Sequence, residues 1–278
     1  TKWYEAPYAL QALTPEQLNI FTADSNQKQY QLPSKNDFIP ENINLLTIDS
    51  MSKPELLEKA AGFTLWHYGD NSFGTPKSNI YVNLRSPLAN NTAEHAVLNS
   101  LFTSMIQDDL NEFTYPAYLA GLNYDLYSHI RGLSIKIGGY SEKQTLLLEN
   151  ILKSIKTAPL RKERFEIYKE QMVRALENAV KKKPYQQTTG EIRKLILKPQ
   201  WTEKEKLAAI ESITITTLRK FRSQLLNQVE IVALSSGNIS RAGSLNNASV
   251  IQSWLLDNDT QKVSVKRGEV AQLPVNKS

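Results

Sequence analysis

Residues 80–85 read Ile-Tyr-Val-Asn-Leu-Arg, and this strict alternation constrains the fold more than any other stretch of the chain. Ile80, Val82 and Leu84 fall on one side of an extended backbone, and Tyr81, Asn83 and Arg85 on the other. That pattern belongs to a strand with one buried face. A sheet that is apolar on one side needs a second layer to cover it. The cover follows closely in the sequence. Leu98, Leu101, Phe102, Met105, Ile106, Leu110 and Phe113 recur at steps of three and four, the core-facing stripe of an amphipathic helix. The spacing predicts a long helix from near Asn91, with Asn91 and Glu94 as its cap, ending before Gly121.

The rest of the chain repeats these two themes. Thr14-Pro15-Glu16-Gln17 is a capping box with proline at the first helical position, which predicts a short helix to about Asp24. Pro33 and Pro40 make residues 30–40 an extended connector. Strands are expected at 43–48, 63–68, 122–127, 133–139 and 229–234. His129-Ile130-Arg131-Gly132 reads as the turn of a hairpin. Ser141 and Gln144 suggest a second capping box, opening a helix that carries Leu147, Leu148, Ile151, Leu152 and Ile155. Residues 161–227 read as a run of helices punctuated by Pro184 and Pro199, one of them capped by Thr202 and Glu205. A last helix covers about 240–256. Val263 and Val265 begin an extended tail with no partner expected. The order gives an α+β fold: a two-layer α/β sandwich whose mostly antiparallel sheet is covered by helices.

Charge and composition exclude several functions. Basic residues number 33 against 28 acidic ones, but they are interleaved, and Lys181-Lys182-Lys183 is the one dense run. That run sits at a helix end before Pro184, where the helix dipole favours positive charge. Nucleic acid is therefore not an expected partner. No apolar run approaches the roughly 18–20 residues of a membrane span, so neither is a bilayer, and a soluble protein is expected. The chain has no cysteine, which rules out disulfides and thiol catalysis. It shows no signal peptide and does not begin with methionine, as a mature or excised segment would read.

Several stretches carry a family resemblance. They are 32–40 (LPSKNDFIP), 65–68 (LWHY), 73–77 (FGTPK), 109–113 (DLNEF), 119–126 (LAGLNYDL) and 139–144 (GYSEKQ), with Arg164-Phe165-Glu166, Gly237-Asn238-Ile239 and 267–274 (RGEVAQLP). In this order they resemble the third, middle domain of the pitrilysin and insulin-degrading-enzyme family of zinc metallopeptidases. The resemblance implies a parent enzyme of four domains whose two bowl-shaped halves enclose peptides, with zinc in the first domain only. It divides the chain into an N-terminal connector with a short helix (1–32), a non-catalytic α/β domain (33–260) and a linker toward a following domain (261–278). Similarity to pitrilysin further implies a periplasmic location.

The family's zinc site requires H-x-x-E-H on a helix, which sets two imidazoles on one side with a glutamate to activate water. The nearest approach here is Asn91-Thr92-Ala93-Glu94-His95, where asparagine replaces the first histidine. Glu94 is better explained as a helix-cap carboxylate. Aligning the long helix to the family places the motif's equivalent at Ser100-Leu101-Phe102-Thr103-Ser104, which offers no ligand. His67 and His129 are isolated and read as structural or surface residues. Asp108, Asp109 and Glu112 read as a solvated helix face rather than an acid–base pair. Ser128 beside His129 is no nucleophile arrangement, and Gly138-Gly139 is a strand-to-helix turn rather than a phosphate loop. Trp66 and Tyr68 share one face of a strand, for core or inter-domain packing or for contact with peptide; Tyr124 and Tyr127 also lie on a strand.

The sequence thus predicts no catalytic, cofactor-binding or metal-binding residue in this segment. Its expected work is to shape a peptide chamber and pack on sister domains of the same polypeptide. The segment alone is expected to cleave nothing. A stand-alone binding or scaffold protein using the same fold is the alternative.

Overall fold

The structure, a computed structural model, describes residues 3–22, 34–48 and 51–272. These fall into two compact units, one up to residue 36 and one from Asp37 onward. The first holds helix α1, Pro15–Thr22. Its expected capping box is present: the Gln17 amide donates to Thr14 Oγ1 at 3.3 Å, and the Thr14 amide donates to Gln17 Oε1 at 3.0 Å. Residues 23, 24 and 30–33 of the expected helix end and connector lie outside the described residues.

The second unit is a helix layer on a twisted, mostly antiparallel sheet. Its strands are β1 (Glu55–Ala60), β2 (Phe63–Gly69), β3 (Lys77–Arg85), β4 (Asn123–His129) and β5 (Gly132–Tyr140), with β6 (Leu197–Lys198), β7 (Gln228–Gly237), β8 (Gln261–Lys262) and β9 (Glu269–Val270) following. The main sheet runs β1-β2-β7-β3-β5-β4, with β8 added beside β7. β7 pairs in parallel with β2 and β8; the other ladders are antiparallel. The predicted hairpin is β4–β5, joined through Ile130 and Arg131. Gly132 is required there: its φ is +149°, and a Cβ would sit 1.8 Å from the Leu84 carbonyl oxygen.

The helices are α2 (Ala93–Leu119), α3 (Gln144–Thr157), α4 (Lys162–Glu177), α5 (Pro184–Ile196), α6 (Glu203–Ser212), α7 (Ile215–Asn227) and α8 (Arg241–Leu255). The core lies between them and the inner sheet face. There Ile80, Val82, Leu84, Ile135 and Ile137 of the sheet meet Leu98, Leu101, Phe102 and Ile106 of α2 and Leu148, Ile151 and Leu152 of α3. Burying a side chain of this size contributes about 1.5–3 kcal/mol.

Several expectations need correction. Residues 43–48 form no strand: the Leu46 amide is taken by Asn238 Oδ1 at 2.8 Å, a side-chain partner in place of a ladder. The edge strand is instead β1, whose Glu-Leu-Leu-Glu-Lys-Ala run hides its period because a bulge falls between Leu56 and Glu58. The α2 cap is Thr92, whose hydroxyl accepts the His95 amide at 3.0 Å, one residue later than expected. Phe113 is 37% exposed and leaves the core stripe to meet Phe38 edge-on at 5.3 Å. Ser141 and Gln144 form no capping box. Ser141 Oγ donates to the Pro76 carbonyl, and Gln144 Nε2 donates to the carbonyls of Ser78 and Gly139, tying α3 to the sheet. The tail is paired after all, through β8 on β7 and β9 on β6. The capping box at Thr202 and Glu205 is present as predicted.

Candidate functional site

Alternation sends every second residue of the central strands away from the helices, and the ladder register fixes which of them lie side by side. Across the middle of this outer face run Trp66, Leu234, Tyr81, Lys136 and Asp125. The next row is Thr64, Val232, Asn83, Ser134 and Tyr127, and the last is Glu230, Arg85, Gly132 and His129. Pro54, Trp66, Tyr81, Val232 and Leu234 line an apolar depression of about 500 Å³. Trp66 is 36% exposed there, so it is not a core residue. Lys136 Nζ lies 5.9 Å from the Tyr81 ring centroid, a cation–π contact at the depression's margin.

The last row opens into a second cavity of about 770 Å³, walled by the β4–β5 turn, the end of β3 and the β6–β9 ribbon. Arg85, Arg131, Lys198 and Arg267 line it against Glu230 and Glu269. Arg85 Nη1 is 3.6 Å from Glu230 Oε2, and that oxygen also accepts the Val265 amide at 3.2 Å. Arg85 Nε and His129 Nε2 are buried without a hydrogen-bond partner. His129 Nδ1 accepts the Arg131 amide at 3.2 Å, which leaves the proton of a neutral ring on Nε2. Burial, then the Arg131 charge, hold the His129 pKa below its ordinary value. Burial also lowers that of Arg131, reinforced by repulsion from Arg85 and Arg267 and opposed by Glu230.

The residues singled out in the sequence are dispersed. His67 faces the helix layer, is buried, and bonds Ser244 Oγ through Nδ1 at 2.8 Å. His95 sits at the start of α2, with Nδ1 on Asn91 Oδ1. Glu94 is exposed, one residue short of the N3 position expected for it. Asp108 and Asp109 are not merely solvated. Asp108 accepts from Arg164 Nε at 2.8 Å and from the Tyr168 hydroxyl at 3.0 Å, and the Arg164 bond holds its carboxyl below the usual range. Asp109 accepts from Ser154 Oγ at 2.7 Å, and Glu112 is exposed. Ser128 points toward α2, 3.4 Å from Ser100 Oγ, while its neighbour His129 lies on the outer face. Gly139 takes φ +122° where its backbone passes Gly121. Lys181 to Lys183 are exposed beside α5.

The three histidines, His67 under the helix layer, His95 at the start of α2 and His129 on the outer sheet face, do not converge as the ligands of a zinc ion must. Among the described residues, no group of three or more His, Cys, Asp or Glu could hold a metal. Nor is any helix there long and apolar enough to cross a membrane. The basic cavity was missed in the sequence because its residues span positions 85 to 269; the only local signal was Arg85 closing the polar side of an alternating strand.

The fold is a two-layer α/β sandwich with a mostly antiparallel sheet, and the comparisons with known proteins place it in a family. Residues 1–209 match the family model described as the middle or third domain of peptidase M16. Human insulin-degrading enzyme is 33% identical over 259 residues, covering 92% of this chain and 25% of that protein. A protein of Schizosaccharomyces pombe named as a putative zinc protease is 28% identical over 248 residues, 88% of this chain and 26% of its own. The crystal structure of pitrilysin superimposes with a TM-score of 0.76 at 21% identity, over 81% of this chain and 24% of that one. The chain belongs to the M16 peptidase family, as its middle or third domain. It spans about a quarter of the length of these curated relatives.

Proposed function

We propose that this chain is a non-catalytic domain of a zinc metalloendopeptidase, which shapes the peptide chamber with its outer sheet face and packs on sister domains. The observation that carries this reading is the contrast between the two faces of the sheet. One is sealed by helices, while the other presents Trp66, Tyr81 and Leu234, covered by no helix of the same unit among the described residues. An apolar sheet face of that kind suits contact with peptides or with a neighbouring domain. The absence of H-x-x-E-H and the scatter of the three histidines support a role without metal. In this reading zinc belongs to another domain of the parent. The periplasmic address implied by pitrilysin is part of the same reading.

The test is elemental analysis of the purified chain combined with a peptide-cleavage assay. The expected result is no stoichiometric zinc and no turnover. Bound zinc at one equivalent with cleavage would overturn the proposal.

A further inference from the structure

The basic cavity at the end of the sheet is built differently from an ordinary charged surface. Four cationic side chains, Arg85, Arg131, Lys198 and Arg267, face two carboxylates, Glu230 and Glu269. Two positive charges are therefore left uncompensated within one basin. Among its lining residues, Arg85 has a buried Nε with no hydrogen-bond partner. An unsatisfied buried donor costs about 1–3 kcal/mol, so an anion that draws the Arg85 side chain toward it supplies a hydrogen bond the free protein lacks. Arginine forks match the planar geometry of oxyanions. The mutual repulsion of Arg131, Arg85 and Arg267 points the same way, since an anion among them would relieve it.

The basin and the apolar depression share no lining residue, but both lie on the outer face of the sheet. Tyr81 and Arg85 lie on the same side of β3, four residues apart, which is about 13 Å along a strand. A free phosphate ion would use only the basin, whereas an extended peptide can use both. We propose that the basin is a carboxylate-binding subsite for acidic peptides. An apolar side chain rests on Trp66, Tyr81 and Leu234, and an acidic side chain or C-terminus about 13 Å further on enters between Arg85, Arg131 and Arg267. This rests on the reading of the outer face as peptide-facing, and it adds the substrate class.

The experiment is fluorescence anisotropy with the 278-residue chain and two labelled decapeptides. One carries Phe with Glu four residues later; the other has Gln in place of Glu. The acidic peptide is expected to bind about tenfold more tightly, a difference of about 1.4 kcal/mol. The preference should shrink as salt is raised. Arg131→Gln with Arg267→Gln should abolish the preference without weakening the neutral peptide. Because Arg131 lies in a tight turn, Arg267→Glu alone, in the exposed connector, provides a second variant with the same expected direction. Equal affinity for the two peptides, or a preference unchanged by both sets of variants, overturns the proposal. Sodium tripolyphosphate binding without acidic-peptide binding assigns the basin to free phosphate and also overturns it. None of these outcomes bears on zinc content or turnover, so the non-catalytic reading stands or falls separately.

Discussion

The two faces of the sheet are made by the same strands and do opposite things. On the inner face, Ile80, Val82 and Leu84 are buried under α2 and α3. On the outer face, Tyr81, Asn83 and Arg85 grade from an apolar depression into a basic cavity. A difference of one residue in register separates a position that holds the fold together from one that is free to meet a partner. The lesson is that one sheet can hold a core together with one face and carry a structured surface on the other.

The largest expected effect lies on the inner face. Phe102→Ala, at a fully buried position, should destabilise by about 3–5 kcal/mol in chemical denaturation. A loss below about 1 kcal/mol would break the contrast between the faces.

His67 comes next. His67→Gln should cost about 1–2 kcal/mol, because Ser244 Oγ loses its buried partner. The wild-type chain carries a pH signature here. Burial, with the Arg241 charge, lowers the His67 pKa below its ordinary value. Its stabilisation is therefore full above that ordinary value and is lost as pH falls through it toward the folded pKa. Denaturation midpoints between pH 7 and pH 5 should decline less steeply in the variant.

Asp108→Asn should cost about 1 kcal/mol by loosening α2 from α4. The depressed carboxyl contributes stability above its unfolded pKa and loses it as pH falls through the folded one, so the variant should lack that acid-side decline. Denaturation between pH 5 and pH 2 checks the slope.

The smallest expected effect is on the outer face. Trp66→Ala should change stability by roughly 1 kcal/mol or less, yet weaken binding of apolar peptides measured by anisotropy. Retained binding would remove the outer depression from the account.

Much of this division was legible in the sequence. The alternation at 80–85 and the stripe from Leu98 to Leu110 specified a strand and its cover, because each signal is local and periodic. β1 was not legible, since its bulge breaks the period that would announce a strand. The capping pair Ser141 and Gln144 misled because their side chains find partners on the sheet, distant in sequence. The basic cavity escaped for the same reason: only folding brings Arg85, Arg131 and Arg267 to one place.

The division between faces is tested most directly by two-dimensional amide and indole NMR of the chain titrated with the acidic decapeptide. Shifts are expected to concentrate at the Trp66 indole and at Tyr81, Asn83, Arg85 and Arg131. Shifts centred on α2, α3 or α8, with the outer face silent, would contradict that division.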